Sequence, residues 1–199
     1  TAREMKHQFT DSGVKGIIIL ENFCHNLEKI LPETDISCVI TTRLADMLPQ
    51  PKKTIVNFVV KRVKRMVPAW NIASARSWDQ VMKESSGSFS SVSSGTDVAI
   101  VLYTGGTTGL AKGAMLTHQN LIVNMMQLRQ VSKALIKDGR DTIVAPLPLY
   151  HTYAFMFHCM AAVYAGNLNV LIPNPRDINE LIKTLQALPE INGFVGLNT

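Results

Sequence analysis

The sequence has few charged residues and few cysteines. Asp, Glu, Lys and Arg make up 18% of the 199 residues, whereas hydrophobic residues make up 46%. A chain so poor in charge and rich in apolar side chains folds around a core, which excludes an intrinsically disordered protein. Cys24, Cys38 and Cys159 are scattered and odd in number. They therefore predict neither a disulfide framework nor a metal site, and favour buried thiols in a reducing compartment.

Formal charge is absent between Asp141 and Arg176, and no signal-peptide pattern is visible in the sequence. Prolines at 146, 148 and 173 divide the uncharged stretch into pieces shorter than the ~20 apolar residues of a bilayer helix. We therefore expect buried elements there rather than a membrane span. The chain opens on Thr1 and stops after an apolar run, which is typical of a fragment of a longer protein. A cytoplasmic location is expected, with a peripheral position at the inner face of the membrane as the alternative.

Hydrophobic periodicity predicts helices that alternate with strands. Helices are predicted over residues 3–11, 23–31, 54–67, 117–131, 150–165 and 178–188, and strands over residues 16–20, 36–42, 97–103, 142–149, 168–172 and 191–198. This alternation predicts an α/β fold with a layered, largely parallel sheet flanked by helices. The serine-rich stretch 85–95 predicts a linker or subdomain boundary within the single partial domain 1–199.

The predicted helix over residues 54–67 is basic and amphipathic. Its apolar positions Ile55, Phe58, Val59, Val63 and Met66 recur at helical spacing, opposite Asn57, Lys61, Lys64 and Arg65. The favoured interpretation is a surface helix that packs its apolar side on its own domain. The alternative is peripheral contact of residues 52–67 with an anionic membrane. Nucleic-acid binding is not expected, because no aromatic stacking platform accompanies the charges.

Four glycines, three threonines and Lys112 occupy the twelve positions of Tyr103–Ala114, which we call the Gly/Thr segment. Glycines let the backbone approach a ligand closely, and successive amide groups in such turns form a nest for anionic oxygens. Threonine hydroxyls and Lys112 add further donors and a positive charge. The segment is expected to join two strands and to bind phosphate, the alternative being a flexible surface loop.

Two familiar phosphate motifs do not match this spacing. A P-loop requires Gly-Lys-Ser/Thr, but Gly113 follows Lys112. The dinucleotide pattern requires glycine where Thr108 stands. The segment must therefore belong to another class of phosphate loop if it binds phosphate.

The Gly/Thr segment resembles the signature loop of the adenylate-forming enzymes, which include acyl-CoA synthetases, luciferases and peptide-synthetase adenylation domains. Tyr-Thr-Gly-Gly-Thr-Thr-Gly followed by Ala-Lys-Gly-Ala-Met-Leu-Thr-His is most similar to bacterial long-chain fatty-acid–CoA ligases, although many relatives have proline at position 111. The similarity continues in residues 146–151, 174–177 and 196–199. It implies part of the large N-terminal domain of an enzyme that forms acyl-AMP from a fatty acid and ATP and then transfers the acyl group to coenzyme A.

The resemblance also implies roles for individual residues. The ATP phosphates would contact Tyr103, Thr104, Gly105, Gly106, Thr107, Thr108, Gly109, Leu110, Ala111, Lys112, Gly113 and Ala114. His151 and Lys112 would be catalytic, Thr104 would approach Mg²⁺, and the fatty acid would contact Tyr150, His151, Gly196 and Thr199.

Several residues that the family uses have no counterpart in this sequence: the acidic Mg²⁺ ligand, the ribose-binding aspartate and the C-terminal lysine. We therefore expect the chain to be inactive alone. Two alternatives remain open at this point. One is an aryl or medium-chain acid ligase, and the other is a non-catalytic module for ATP binding or membrane docking.

Overall fold

A computed structural model describes residues 1–85, 87–105 and 110–196, which form two units. The first unit comprises Thr1–Val92 and Tyr103–Ala114, and the second comprises Ser93–Leu102 and Met115–Thr199. The chain first passes between the units at Val92 and Ser93, inside the serine-rich stretch.

The first unit contains a parallel sheet with the strand order β1-β2-β3. Its elements are α1 (Ala2–Ser12), β1 (Gly16–Leu20), α2 (Cys24–Ile30), β2 (Cys38–Thr42), α3 (Lys52–Phe58, extended by a π-helical turn over Val59–Val63), β3 (Ala75–Ser77) and α4 (Trp78–Glu84). Gly16 lies opposite Cys38, and Val39 lies opposite Ala75. The core of this unit consists of Ile19, Cys24, Leu27, Ile30, Ile36, Val39 and Ile72.

Local sequence signals explain the ends of α1. Thr1 and Glu4 form a reciprocal capping box at its start, which satisfies amide groups that have no partner inside the helix. Gly13 ends the helix with φ 62°, a left-handed conformation that favours glycine. The predicted helix over residues 3–11 is thereby confirmed.

The favoured interpretation of α3 is wrong about which side faces inward. Ile55, Phe58 and Val63 are more than half exposed, whereas Asn57 is buried. Asn57 is buried because its side chain forms hydrogen bonds. Asn57 Oδ1 accepts a hydrogen bond from the Ala45 amide at 3.0 Å, and Asn57 Nδ2 donates to Asp46 Oδ1 at 3.2 Å. Buried hydrogen-bonding groups without partners are costly, so this network fixes how the helix docks. The helix also begins and ends earlier than predicted, at Lys52 and Val63.

The second unit contains a parallel sheet with the strand order β7-β6-β8. Two further strands, β4 (Val98–Thr104) and β5 (Lys112–Thr117), pair with each other and connect the units. The remaining elements are α5 (His118–Ser132), β6 (Thr142–Ala145), α6 (Thr152–Ala154, continued by a π-helical turn over Phe155–Ala162), β7 (Leu168–Leu171), α7 (Ile178–Gln186) and β8 (Gly193–Phe194). Parallel pairing in both three-stranded sheets confirms the α/β class.

Two predicted elements of the second unit differ from the structure. The strand predicted over residues 142–149 ends at Ala145, because Pro146 and Pro148 lack the amide hydrogen that a ladder requires. The helix predicted to be buried over residues 150–165 buries one side only. Met156 and Ala161 pack on α5, while Tyr164 is 62% exposed. No helix among residues 1–85, 87–105 and 110–196 is long and apolar enough to cross a membrane.

Candidate phosphate-binding site

The described part of the Gly/Thr segment exposes its polar groups. It consists of residues 103–105 and 110–114, because Gly106, Thr107, Thr108 and Gly109 lie outside the described residues. Thr104, Gly105 and Lys112 are exposed. A side chain built on Gly105 would meet no described atom within 4 Å, so the space beside this backbone is open. As predicted, the segment joins two strands, β4 and β5.

Electrostatics in the described part of the segment favour an anion. The segment contains no acidic residue. Among the described residues, no carboxylate forms an ion pair with Lys112, which is an exposed residue. A flexible, unpaired lysine beside open backbone is the kind of point charge that contacts phosphate in proteins.

Helix α1 contacts both ends of the Gly/Thr segment. At the start of the segment, the Tyr103 hydroxyl lies 2.6 Å from Asp11 Oδ2 and 3.1 Å from the Gln8 carbonyl oxygen. At the end, His7 Nε2 lies 2.8 Å from the Ala111 carbonyl oxygen. The hydrogen bond to the Asp11 carboxylate raises the pKa of Tyr103, so this phenol stays a donor at neutral pH.

A cavity of about 430 Å³ separates α1 from the segment. It is lined by Thr1, Arg3, Glu4, His7, Gln8, Gly105, Leu110 and Ala111. Hydrogen bonds of His7 and Tyr103, together with the edge-to-face contact of their rings, join the ends of the segment to the helix. Loss of these hydrogen bonds should therefore weaken the attachment of the segment to α1.

The predicted fatty-acid and catalytic residues Tyr150, His151 and Gly196 belong to the second unit. His151 is the exposed N-cap of α6 and follows the carboxyl end of β6, while Gly196 follows the carboxyl end of β8. Since β6 and β8 are parallel neighbours, these ends lie at one edge of the sheet, where open α/β sheets bind ligands. Tyr150 is 83% exposed, and Thr199 lies outside the described residues.

Metal binding has limited support from the protein side chains alone. Within the described ranges, no group of three or more His, Cys, Asp and Glu residues could hold an ion. The exposed Thr104 hydroxyl could supply one neutral oxygen ligand. A magnesium ion there would depend mainly on phosphate oxygens, as in enzymes where the metal bridges a nucleotide.

Sequence reasoning missed the contacts of His7 and Asp11. Both residues project from one side of α1, at an i, i+4 spacing that is visible in the sequence. Their partners are distant in the chain, however: Ala111 for His7 and Tyr103 for Asp11. No local pattern could have indicated these pairs.

Comparisons with known proteins identify the family of the chain. The model of the family described as AMP-binding enzyme matches residues 1–189. The chain is 42% identical over 201 residues to a long-chain-fatty-acid–CoA ligase of Salmonella typhimurium strain LT2, and 42% identical over 202 residues to that of Yersinia pestis. Each alignment covers 100% of this chain and 36% of the relative, so the chain spans about a third of their length.

A solved structure shows the same fold. It is a long-chain-fatty-acid–CoA ligase from Archaeoglobus fulgidus that superposes with a TM-score of 0.65 at 27% identity, over 94% of this chain and 31% of that chain. The match of the family model to almost the whole sequence, and the identity to these ligases, show that the chain belongs to the AMP-binding enzyme family.

Proposed function

We propose that the full-length protein containing this chain is an ATP-dependent long-chain fatty-acid–CoA ligase. The fatty carboxylate attacks the α-phosphate of ATP, which forms acyl-AMP and releases pyrophosphate, and the thiol of coenzyme A then displaces AMP. The observation that carries the proposal is an acid-free Gly/Thr segment, in which Thr104, Gly105 and Lys112 are exposed, in a chain 42% identical to ligases of that name.

In this reaction the Gly/Thr segment holds the phosphates. Phosphate transfer depends on positioning and on neutralising charge, both of which amide, hydroxyl and ammonium donors supply. Lys112 would contact the β- and γ-phosphates, and Thr104 would supply the hydroxyl of the segment that is nearest to Mg²⁺. Gly106, Thr107, Thr108 and Gly109 complete the segment. His151 stabilises charge beside the reacting carboxylate, and Tyr150, Gly196 and Thr199 contact the acyl chain.

Pyrophosphate exchange into ATP tests this proposal in the full-length protein, with palmitate, octanoate and benzoate compared as the acid. We expect the highest rate with palmitate and a loss of about 100-fold in Lys112→Ala, since one charge-stabilising donor contributes that much. Lys133→Ala is the matched control, because Lys133 is also exposed and forms no ion pair with a described residue. A preference for benzoate or octanoate would support the aryl or medium-chain alternative, and no exchange with any acid would support a non-catalytic module.

We also propose that α3 and its flanks contact an anionic membrane surface, because the structure leaves their apolar side uncovered. Ile55, Phe58, Val63 and Met66 are between 52% and 66% exposed. Ile55, Phe58 and Val63 belong to the helix and Met66 follows its end, so the exposed apolar side chains are continuous along the sequence, as in helices that lie in the membrane interface. The proposed substrate, a fatty acid, partitions into the same membrane.

The charge around α3 is complementary to such a surface. No Asp or Glu occurs between Asp46 and Asp79, a stretch that contains seven Lys and Arg residues. Lys53 pairs with Asp79, Lys61 pairs with Glu21 and Arg76 pairs with Glu84. Four cations have no ion-pair partner among the described residues: Lys52, Arg62, Lys64 and Arg65. They remain available for lipid phosphates.

Sedimentation with vesicles tests the membrane contact. We expect the full-length protein to bind vesicles that contain anionic phosphatidylglycerol, and a variant with Arg62, Lys64 and Arg65 changed to Gln to bind about 100-fold less, at ~1 kcal/mol per charge. Changing Lys133, Lys137 and Arg140 to Gln removes the same charge elsewhere and is the control. Equal binding by both variants would contradict the proposal, and so would burial of Phe58 against the rest of the full-length protein.

A further inference from the structure

Helix α1 has two sides with different partners in the first unit. Ala2, Met5 and Phe9 pack against the core cluster around Leu27. His7 and Asp11 point to the Gly/Thr segment instead. The helix is capped at both ends and packed on the core. Its position is therefore fixed, and it can hold the Gly/Thr segment in place.

We propose that α1 is the anchor of the Gly/Thr segment, with His7 as a positioning residue for Lys112. The inference rests on the proposed function only for its effect on ATP. His7 Nε2–H donates to the Ala111 carbonyl at 2.8 Å. That carbonyl belongs to the same planar peptide unit as the Lys112 amide. A hydrogen bond that fixes the orientation of the carbonyl therefore also fixes the orientation of the amide. The backbone from which the Lys112 ammonium extends is thereby held in place.

The Tyr103 hydroxyl secures the other end of the segment through Asp11 and the Gln8 carbonyl. The rings of His7 and Tyr103 also meet edge to face, with centroids 6.2 Å apart. The two ends are thus tied to adjacent turns of one helix. Such an arrangement lowers the conformational freedom that the segment would lose on binding a ligand, which improves affinity by preorganisation.

Hydrogen–deuterium exchange in the nucleotide-free full-length protein tests the anchor without reference to activity. We expect amides of residues 110–114 to exchange about tenfold faster in His7→Ala, the scale of one lost hydrogen bond. His7→Gln should restore slow exchange, because its amide can donate to the same carbonyl. Gln8→Ala is the matched control, since Tyr103 contacts only the backbone carbonyl of Gln8. Unchanged exchange in β2 would show that the unit remains folded.

Pyrophosphate exchange then tests the effect on ATP. We expect His7→Ala to raise the KM for ATP about tenfold with the KM for palmitate unchanged, and His7→Gln to stay near wild type. Unchanged amide exchange in His7→Ala would overturn the anchor. Faster amide exchange with an unchanged KM for ATP would overturn the positioning role. A wild-type protein without pyrophosphate exchange would overturn the proposed function instead, while the amide comparison would still decide the anchor.

Discussion

His158 shows how burial sets the chemistry of a single side chain. It is 1% exposed, its Nδ1 lies 2.9 Å from Asn169 Oδ1, and Asn169 Nδ2 donates to the His158 carbonyl at 3.2 Å. Since Asn169 Oδ1 can only accept, the proton of the neutral ring lies on Nδ1. Burial lowers the pKa of His158, because the charged form loses hydration. The residue is therefore structural.

The lowered pKa of His158 predicts that the stability of the protein depends on pH. Above pH 6.5, the ordinary pKa, His158 is neutral in both folded and unfolded chains and costs nothing. Below it, the unfolded chain binds the proton first, so the free energy of unfolding falls as the pH falls toward the folded pKa. Urea unfolding of the full-length protein at about pH 7.5 and pH 5.5 measures this. His158→Gln should lose less stability over that interval than wild type, and equal losses would contradict the account.

Cys24 and Cys38 should differ in reactivity. Cys24 is fully buried beside the Glu21 carboxylate, and burial raises the pKa of its thiol to about 11, whereas Cys38 is exposed. Only the thiolate reacts, so Cys24 should react with N-ethylmaleimide at neutral pH at least about 100-fold more slowly than Cys38. Peptide mass spectrometry after timed labelling measures both rates. Similar rates would show that Cys24 is not buried in solution.

Among the elements, α5 follows the Gly/Thr segment and β5 directly. Thr117 Oγ1 accepts a hydrogen bond from the Asn120 amide at 3.1 Å, and Asn120 Oδ1 accepts one from the Thr117 amide at 3.0 Å. Such a capping box satisfies amides that the first turn leaves open. The helix predicted over residues 117–131 is thereby confirmed, with Thr117 as its N-cap.

Loss of the cap should weaken α5. We expect Thr117→Ala to lower the free energy of unfolding by about 1 kcal/mol, and Thr117→Ser to change it little, because serine keeps the accepting hydroxyl. Denaturant titration of both variants measures the difference. If Ser and Ala had the same effect, the hydroxyl would not be the cause.

Elements with strong local signals could be predicted from the sequence, and elements fixed by distant partners could not. Gly13 and the β-branched run of β1 indicated α1 and its neighbouring strand. In contrast, β3 has three residues, too few to show alternation. The side of α3 that faces inward depends on Ala45 and Asp46, which belong to a preceding turn. Hydrophobic periodicity alone therefore predicted the wrong buried side for this helix.

The same distinction applies to the candidate site. The glycines, threonines and Lys112 of the Gly/Thr segment are adjacent in sequence, so their composition alone predicted phosphate binding. The hydrogen bonds from His7 to Ala111 and from Tyr103 to Asp11 join residues that the fold brings together. They became visible only in the structure.

At the scale of the whole molecule, the chain belongs to the AMP-binding enzyme family and covers 36% of its Salmonella relative. The Gly/Thr segment belongs to the first unit, and Tyr150, His151 and Gly196 belong to the second. Measurements of the proposed activity therefore require the full-length protein rather than either unit.

Formation of palmitoyl-AMP is the most direct test of the proposed ligase activity. The full-length protein is incubated with ATP, Mg²⁺ and palmitate in the absence of coenzyme A, and bound acyl-AMP is measured by mass spectrometry. We predict palmitoyl-AMP in the wild type and in Lys133→Ala, and a loss of about 100-fold in Lys112→Ala and Thr104→Val. A wild-type protein that forms none, or a Lys112→Ala variant that forms it at the wild-type rate, would contradict the claim.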